Sequence, residues 1–333
     1  MKTRSRPFVS LAGLLAGLSM MLVPLAGARA QSAADYPQRP IRLVVGFTAG
    51  GISDVLARAL AVRLSAGLGQ QVIVENRAGA GTTIASDLVA KAAPDGYTLY
   101  VQDITTHAIN ASLYPKLPYD TLRDFTPVAL FASSPLMLVT HPGTGVHSLS
   151  ELTAMLRSKP GAYSYGSSGN GTITHLAGEL YRSLAGVEVA HVPYKGSTPT
   201  TQAILGGEVA FTFSSMPPAV QNAKAGRLRA LAVTTPRRVE AVPEVPTMRE
   251  AGMADYEIVL YSGVLAPRGL PEPILKRLNA EMARVVAHDD IRSVFASVGA
   301  DAITTTPEAF AALLAREVER LGRIVRASGA KVE

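Results

Sequence analysis

The feature that most constrains this chain is Ile41 to Leu60, IRLVVGFTAGGISDVLARAL, a strand-type run that passes through a glycine pair into an amphipathic helix. Ile41, Leu43, Val44, Val45 and Phe47 form the short apolar run of a parallel strand covered on both faces. Gly50 and Gly51 permit backbone geometry and a close approach that a Cβ forbids. Ser53 or Asp54 can cap the helix, and Leu56, Leu60 and Leu64 recur at one-turn spacing. Such a unit leaves free backbone N–H groups at a positive helix end, beside the carboxyl edge of a sheet. An anion binds well there, although the same residues also suit a tight βα turn without a ligand.

Residues 1–30 read as a signal peptide. Lys2, Arg4 and Arg6 are a basic n-region, Leu11 to Leu25 an apolar h-region, and Ala28-Arg29-Ala30 the small-x-small pattern before a cut at Gln31. A membrane anchor is the alternative, but the apolar run is short for a span of about 20 residues. Ser5 separates Arg4 from Arg6, which favours the general secretory route over a twin-arginine one. With no cysteine for a lipid anchor, the mature protein is expected to be free in its compartment.

The chain carries 32 Lys and Arg against 26 Asp and Glu. Losing Lys2, Arg4, Arg6 and Arg29 leaves 28 against 26, a net charge of +2. The basic pI is therefore no sign of nucleic acid, and no Lys/Arg cluster suggests a groove binder. With no cysteine, disulfides and thiolate metal sites are excluded. No second apolar run approaches membrane-spanning length, so the mature chain reads as soluble.

Strand and helix patterns alternate from residue 40, which predicts an α/β architecture. Strands are expected at Gln71–Glu75, Tyr97–Val101, Leu136–Thr140, Val187–Val192, Val209–Phe213, Leu228–Thr234 and Tyr256–Leu265. Helices are expected at Thr83–Ala92, at Leu149–Leu156 behind a Ser148 cap, along Leu176, Leu180 and Leu184, and at Thr200–Gly206. A second glycine-rich turn, Tyr165 to Thr172 (YGSSGNGT), leads into the helix of Leu176. It reads either as a binding turn of hydroxyls and N–H groups or as a flexible loop. Two amphipathic helices at Glu272–Ala287 and Pro307–Ala327 have no sheet of their own and are expected to pack back on the first lobe.

Catalytic readings of these glycines fail in detail. Neither turn has GxGxxG spacing with an acidic residue about 20 positions on, and no G-K-[ST] follows. Asn170 breaks G-x-S-x-G, and the six histidines lack HExxH spacing. His175, one turn into its helix, reads as a structural hydrogen-bonder. No catalytic residue, metal or cofactor is expected.

The motifs YPQRPIRLVVGF-TAGG-ISD, VENRAGAG, APDGYTL, THAIN-x-SLY, LPYDTLRDFTPV, SYGSSGNGT, HVPYKG, LRALAVT, EVPTMREAG and LAPRGLP occur in this order along the whole mature chain. In this set the chain resembles the Bug family, the extracytoplasmic binding components of tripartite tricarboxylate transporters. The resemblance implies a type II, two-lobe periplasmic binding protein fold. Each lobe would be a mostly parallel sheet flanked by helices, with a hinge between them. Lobe 1 would comprise 31–135 and 247–333, and lobe 2 136–246.

The resemblance also implies a small carboxylate ligand (amino acid, di- or tricarboxylate, or aromatic acid) held by N–H groups and hydroxyls. Its motif positions place first-lobe contacts at Thr48, Ala49, Gly50, Gly51 and Asp54, with Asp54 ordering the turn. Second-lobe contacts fall at Ser167, Ser168, Gly169, Asn170, Gly171 and Thr172, and near the cleft at Tyr194, Lys195 and Gly196. Where many relatives have a small G-[TS] pair, this chain has Gln102-Asp103, and where many have Phe-Asp-Asn it has Phe213-Ser214-Ser215. Asp103, Thr105 and Ser214 are therefore added as cleft candidates. Asp103 pairs with a polar or ammonium group of the ligand, or else points outward or caps a loop.

Three functions fit: a monomeric transport receptor delivering to membrane permease subunits, a ligand-sensing receptor docking on a sensor protein, and a hydrolase or isomerase on the same fold. The missing nucleophile–base signature counts against the third.

Overall fold

The computed structural model describes Met1 and residues 36–328; the signal segment beyond Met1 and its cut before Gln31 lie outside the described residues. The chain runs β1 (Ile41–Val45), α1 (Ile52–Leu68), β2 (Val72–Asn76), α2 (Thr83–Ala90), β3 (Thr98–Asp103), α3 (Ile104–Leu113) and β4 (Phe125–Ser134). Pro135 alone separates β4 from β5 (Leu136–Thr140). Next come α4 (Leu149–Ser158), β6 (Ser164–Ser167), α5 (Ile173–Ala185), β7 (Ala190–Pro193), α6 (Ser197–Leu205), β8 (Phe211–Ser215), α7 (Met216–Lys224) and β9 (Arg229–Val233). The chain closes with β10 (Leu260–Pro267), α8 (Glu272–Val286), α9 (Asp289–Ser297), β11 (Asp301–Ala302) and α10 (Pro307–Ser328).

Two sheets result, in the orders β11-β4-β10-β3-β1-β2 and β7-β6-β8-β5-β9. The architecture is α/β with helices on both sheets, but the sheets are mixed rather than mostly parallel. Parallel pairing joins β1 to β2 and β3, and β6 to β7 and β8. The strands that carry the chain between sheets, β4, β5, β9 and β10, pair antiparallel. A parallel neighbour needs a crossover connection, and these strands arrive without one.

The apolar runs are buried on both faces. Along β5, Leu136 and Leu138 enter the larger core while Met137 and Val139 enter a smaller one against α6 and α7, as a period of two requires. Helix α8 packs on α1 and β4, and α10 on α3, β4 and α5. The strand expected from Tyr256 begins only at Leu260. Before it the chain is tied to the second sheet: Ile258 N–H donates to Thr234 O at 3.3 Å, and Tyr256 stacks on Phe213 and donates its hydroxyl to Ala177 O at 2.8 Å.

Candidate ligand-binding site

The cap of α1 is Gly51, neither Ser53 nor Asp54. Its carbonyl accepts from Asp54 and Val55 N–H at 3.1 and 3.0 Å, so the helix starts at Ile52 and both candidates fall in its first turn. Asp54 turns back and accepts the Gly50 N–H at 3.0 Å, while pairing with Arg58 and Asn76. Burial works to raise the Asp54 carboxyl, but the hydrogen bonds of Arg58, Gly50 and Asn76 hold it below its ordinary range. Gly50 N–H is thus spent inside the turn.

The second turn is also braced from within. Thr172 caps α5, its hydroxyl donating to Gly169 O at 2.8 Å. Gly171 N–H donates to His175 Nδ1 at 3.3 Å, and Ser167 Oγ lies 2.6 Å from His191 Nε2. The two imidazoles stack with centroids 4.0 Å apart. Burial lowers both, His191 to about 3 with help from His175, so they serve as neutral braces. His175 is a structural hydrogen-bonder.

The two turns face each other. Thr198 Oγ1 donates to Ala49 O at 3.0 Å, Tyr114 OH to Asn170 O at 3.1 Å, and Ile173 N–H to Thr106 Oγ1 at 3.0 Å. Gly196, at φ +109°, packs on Thr48. Between the turns lie two cavities that share Phe47 and Ser168.

The larger, about 370 Å³, includes Ser168, Gly169, Asn170, Thr172, Tyr194, Lys195 and Gly196 among its walls. Its opposite wall, Ala78 to Thr82 with Tyr114, was not singled out from the sequence. That loop holds Ala80, Gly81 and Thr82 at φ +46°, +57° and +75°, a strained run for a β-branched threonine. Buried side chains fix it: Gln102 Nε2 donates to Thr82 Oγ1 at 2.7 Å and Asn110 Nδ2 to Gly81 O at 2.7 Å.

The smaller cavity, about 20 Å³, adjoins the larger one at Phe47 and Ser168. Its lining contains the caps or first residues of five helices: Gly51 and Ile52 of α1, Asp103 of α3, Ile173 of α5, Ser197 of α6 and Ser215 of α7. Each brings a positive helix end. Ser215 is buried, and its hydroxyl has no hydrogen-bond partner.

Asp103 is both a cap and a cavity wall. Its Oδ1 accepts Thr105 and Thr106 N–H at 3.0 and 3.1 Å, and Oδ2 accepts the Thr106 hydroxyl. Burial pushes its carboxyl up to about 6, against the pull of these hydrogen bonds. Two neighbouring candidates turn away. Thr105 Oγ1 donates to Val259 O at 3.0 Å and accepts from Tyr261 N–H, and Ser214 Oγ donates to Ser215 O at 3.2 Å. Thr48, Ala49, Gly50, Asp54, Ser167 and Gly171 line neither cavity; they shape the turns that do.

A family profile described as "Tripartite tricarboxylate transporter family receptor" matches residues 56–330. The chain belongs to this receptor family. It is similar to Protein BugT of Bordetella pertussis, 37% identical over 321 residues, covering 96% of this chain and 98% of the relative. Two solved structures resemble this receptor throughout. R. palustris Rpa4515 with adipate has a TM-score of 0.86 at 36% identity, over 90% of this chain and 100% of that one. MatC from Rhodopseudomonas palustris with bound malate has a TM-score of 0.83 at 34% identity, over 87% of this chain and 100% of that one.

Proposed function

We propose that this receptor captures a small carboxylate between two lobes in the periplasm, as a monomer, and delivers it to the permease subunits of a tripartite tricarboxylate-type transporter. The observation that carries this reading is the meeting of five helix starts at one buried cavity between the two sheets. Helix starts favour anions, and a site shielded from bulk water strengthens charge-assisted hydrogen bonds. Adipate and malate in the two related structures support the same class of ligand.

The carboxylate end sits at Gly51, Ser168 and Ser215, with the rest of the ligand in the larger chamber. Lys195, the one lysine or arginine lining either cavity among the described residues, stands exposed at the chamber wall. The lobes divide at Pro135. We draw the second division after Ile258 in place of residue 247, a boundary supported by the hydrogen bonds of Pro246, Met248 and Ile258 to β9 or Thr234. Ligand contacts with both lobes favour the closed state and so drive closure. The one Ser–His pair described at the second turn, Ser167 with His191, lines neither cavity and braces that turn, which favours a receptor that releases its ligand unchanged.

A thermal-shift screen of the mature chain against dicarboxylates, amino acids, aromatic acids and neutral solutes tests this reading. At least one carboxylate raises the melting temperature by mass action. Shifts with neutral solutes and none with any carboxylate refute it.

A further inference from the structure

Among the described residues Asp103 is the one ionisable side chain lining the smaller cavity, and it is 1% exposed. It also stands at the junction of the two lobes. Its Oδ2 accepts the Thr106 hydroxyl, which in turn accepts the N–H of Ile173, the first residue of α5. The charged groups on the surrounding elements are engaged elsewhere. Asp54 pairs with Arg58 on α1, Glu179 with Arg182 on α5, and Glu317 with Arg320 on α10. Tyr100 on β3 and Tyr261 on β10 are shifted upward, and His107 on α3 and His175 on α5 downward, so all four are neutral near pH 7. A carboxylate seated against the helix starts and the unpartnered Ser215 hydroxyl would therefore meet a second carboxylate, hydrogen-bonded within its own cap but with no cationic partner, in the same small space.

Two carboxylates sharing a buried site do not both stay ionised; one takes a proton. We propose that Asp103 makes anion capture proton-coupled: the ligand's carboxylate enters the cavity together with one proton, which Asp103 carries. Asp103 is then a specificity residue. As a neutral acid it tolerates an anion and can donate to it, whereas as a carboxylate it repels one. Burial has already brought this group up to about 6, near the neutral range. A unit charge about 5 Å away at an effective dielectric near 20 adds roughly two to three pKa units. The proton is then held through neutral pH. This inference rests on the receptor reading above and can fail without it.

The test is calorimetric titration of the mature protein and its Asp103→Asn variant with malate and adipate. It is run between about pH 6.5 and 8.5, where carboxylic acids of ordinary pKa are ionised. Buffers of different ionisation heat report the protons taken up. Asparagine keeps an acceptor for the α3 cap, so the helix start is retained.

The wild type should take up close to one proton per ligand near neutral pH and lose up to about tenfold in affinity per pH unit above it. The variant should take up none, show a flat profile and bind more tightly than wild type at the alkaline end. A carboxyl-carbon NMR titration of the wild type with and without malate reads the same protonation without any variant, as an upward shift of Asp103 on binding. Binding without proton uptake, or equal uptake in the variant, overturns the proposal while leaving the receptor reading intact. Affinity that rises with pH, as an ammonium-bearing ligand paired to ionised Asp103 would give, also overturns it. No response to any acid in the thermal screen overturns the receptor reading itself.

Discussion

Replacing Gly196 by alanine puts a methyl group between the two loops that meet at Thr48. Two costs follow, and they can be separated. Gly196 sits at φ +109°, so alanine there is strained by about 1–3 kcal/mol whether or not the lobes are together. The second cost exists only in the closed arrangement. The new Cβ would lie 3.0 Å from Thr48 Cγ2 and closer still to Oγ1. Overpacking of this kind costs about 1–3 kcal/mol, which is roughly a 5- to 150-fold loss in ligand affinity.

Thr48→Ala removes both offending atoms. Thr48 Oγ1 has no hydrogen-bond partner, so this change alone should cost less than about 1 kcal/mol. The four-corner cycle is read by calorimetric Kd for the best acid in the screen and by thermal melts. Gly196→Ala should bind weakly, and the double variant should regain most of the affinity while keeping the lowered melting temperature. A double variant that binds no better than Gly196→Ala would refute the contact as a closure element and leave only backbone strain.

Three further outcomes follow from the same geometry. Asp103 holds its proton more tightly folded, at about 6, than at its ordinary 3.8, so the native state binds the extra proton between these values. Stability is highest below that window and falls by about 3 kcal/mol as pH rises through it, a slope that denaturant titrations should find missing in Asp103→Asn. Ser215→Ala should leave ligand-free stability within about 1 kcal/mol, because the hydroxyl is unpartnered, yet weaken binding about two- to tenfold; unchanged affinity would remove Ser215 from the site. Gln102→Leu deletes the 2.7 Å hydrogen bond that steadies Thr82 at φ +75°, and should cost about 1–3 kcal/mol in chemical denaturation together with a measurable loss of ligand affinity.

The parts legible in the sequence are those whose physics is local. The β1–α1 turn, the capped start of α4, the glycine-rich entry to α5, and the buried strands β1, β3 and β5 follow from apolar runs, glycines and a cap residue. Other elements hide for specific reasons. Helix α3, ITTHAINASL, is buried from Ile104 through Asn110, so it has no polar face to mark its period. Strand β4 carries Pro127, which cannot donate to a ladder, and a bulge opposite Val264 and Leu265 accommodates it. Helix α7 begins with Met-Pro-Pro and reads as a loop until its prolines are seen in the first turn.

The site follows the same division. Its glycine turns were visible, but the direction of individual side chains was not. Thr105 and Ser214 turn onto neighbouring backbone, while Ser215, one residue along β8, reaches the cavity. For Ser214 and Ser215 alternation along β8 decides the matter, and its phase is set only by the neighbours the strand packs against. The Ala78–Thr82 wall offers backbone and small side chains, and no residue type announces it.

The proposed anion end, assembled from helix starts, has a consequence for how such a receptor can diversify. Main-chain N–H groups survive any substitution other than proline, so their share of the grip outlasts point mutation, while the Asp103 and Ser215 side chains beside them stay open to change. Variation is then free to act on the chamber walls, where Tyr114, Tyr194 and the Ala78–Thr82 loop set the room left for the rest of the molecule. Duplicated genes can drift toward new acids while inheriting the same grip, and a designer seeking a sensor for a different acid can leave that grip alone and repaint the walls.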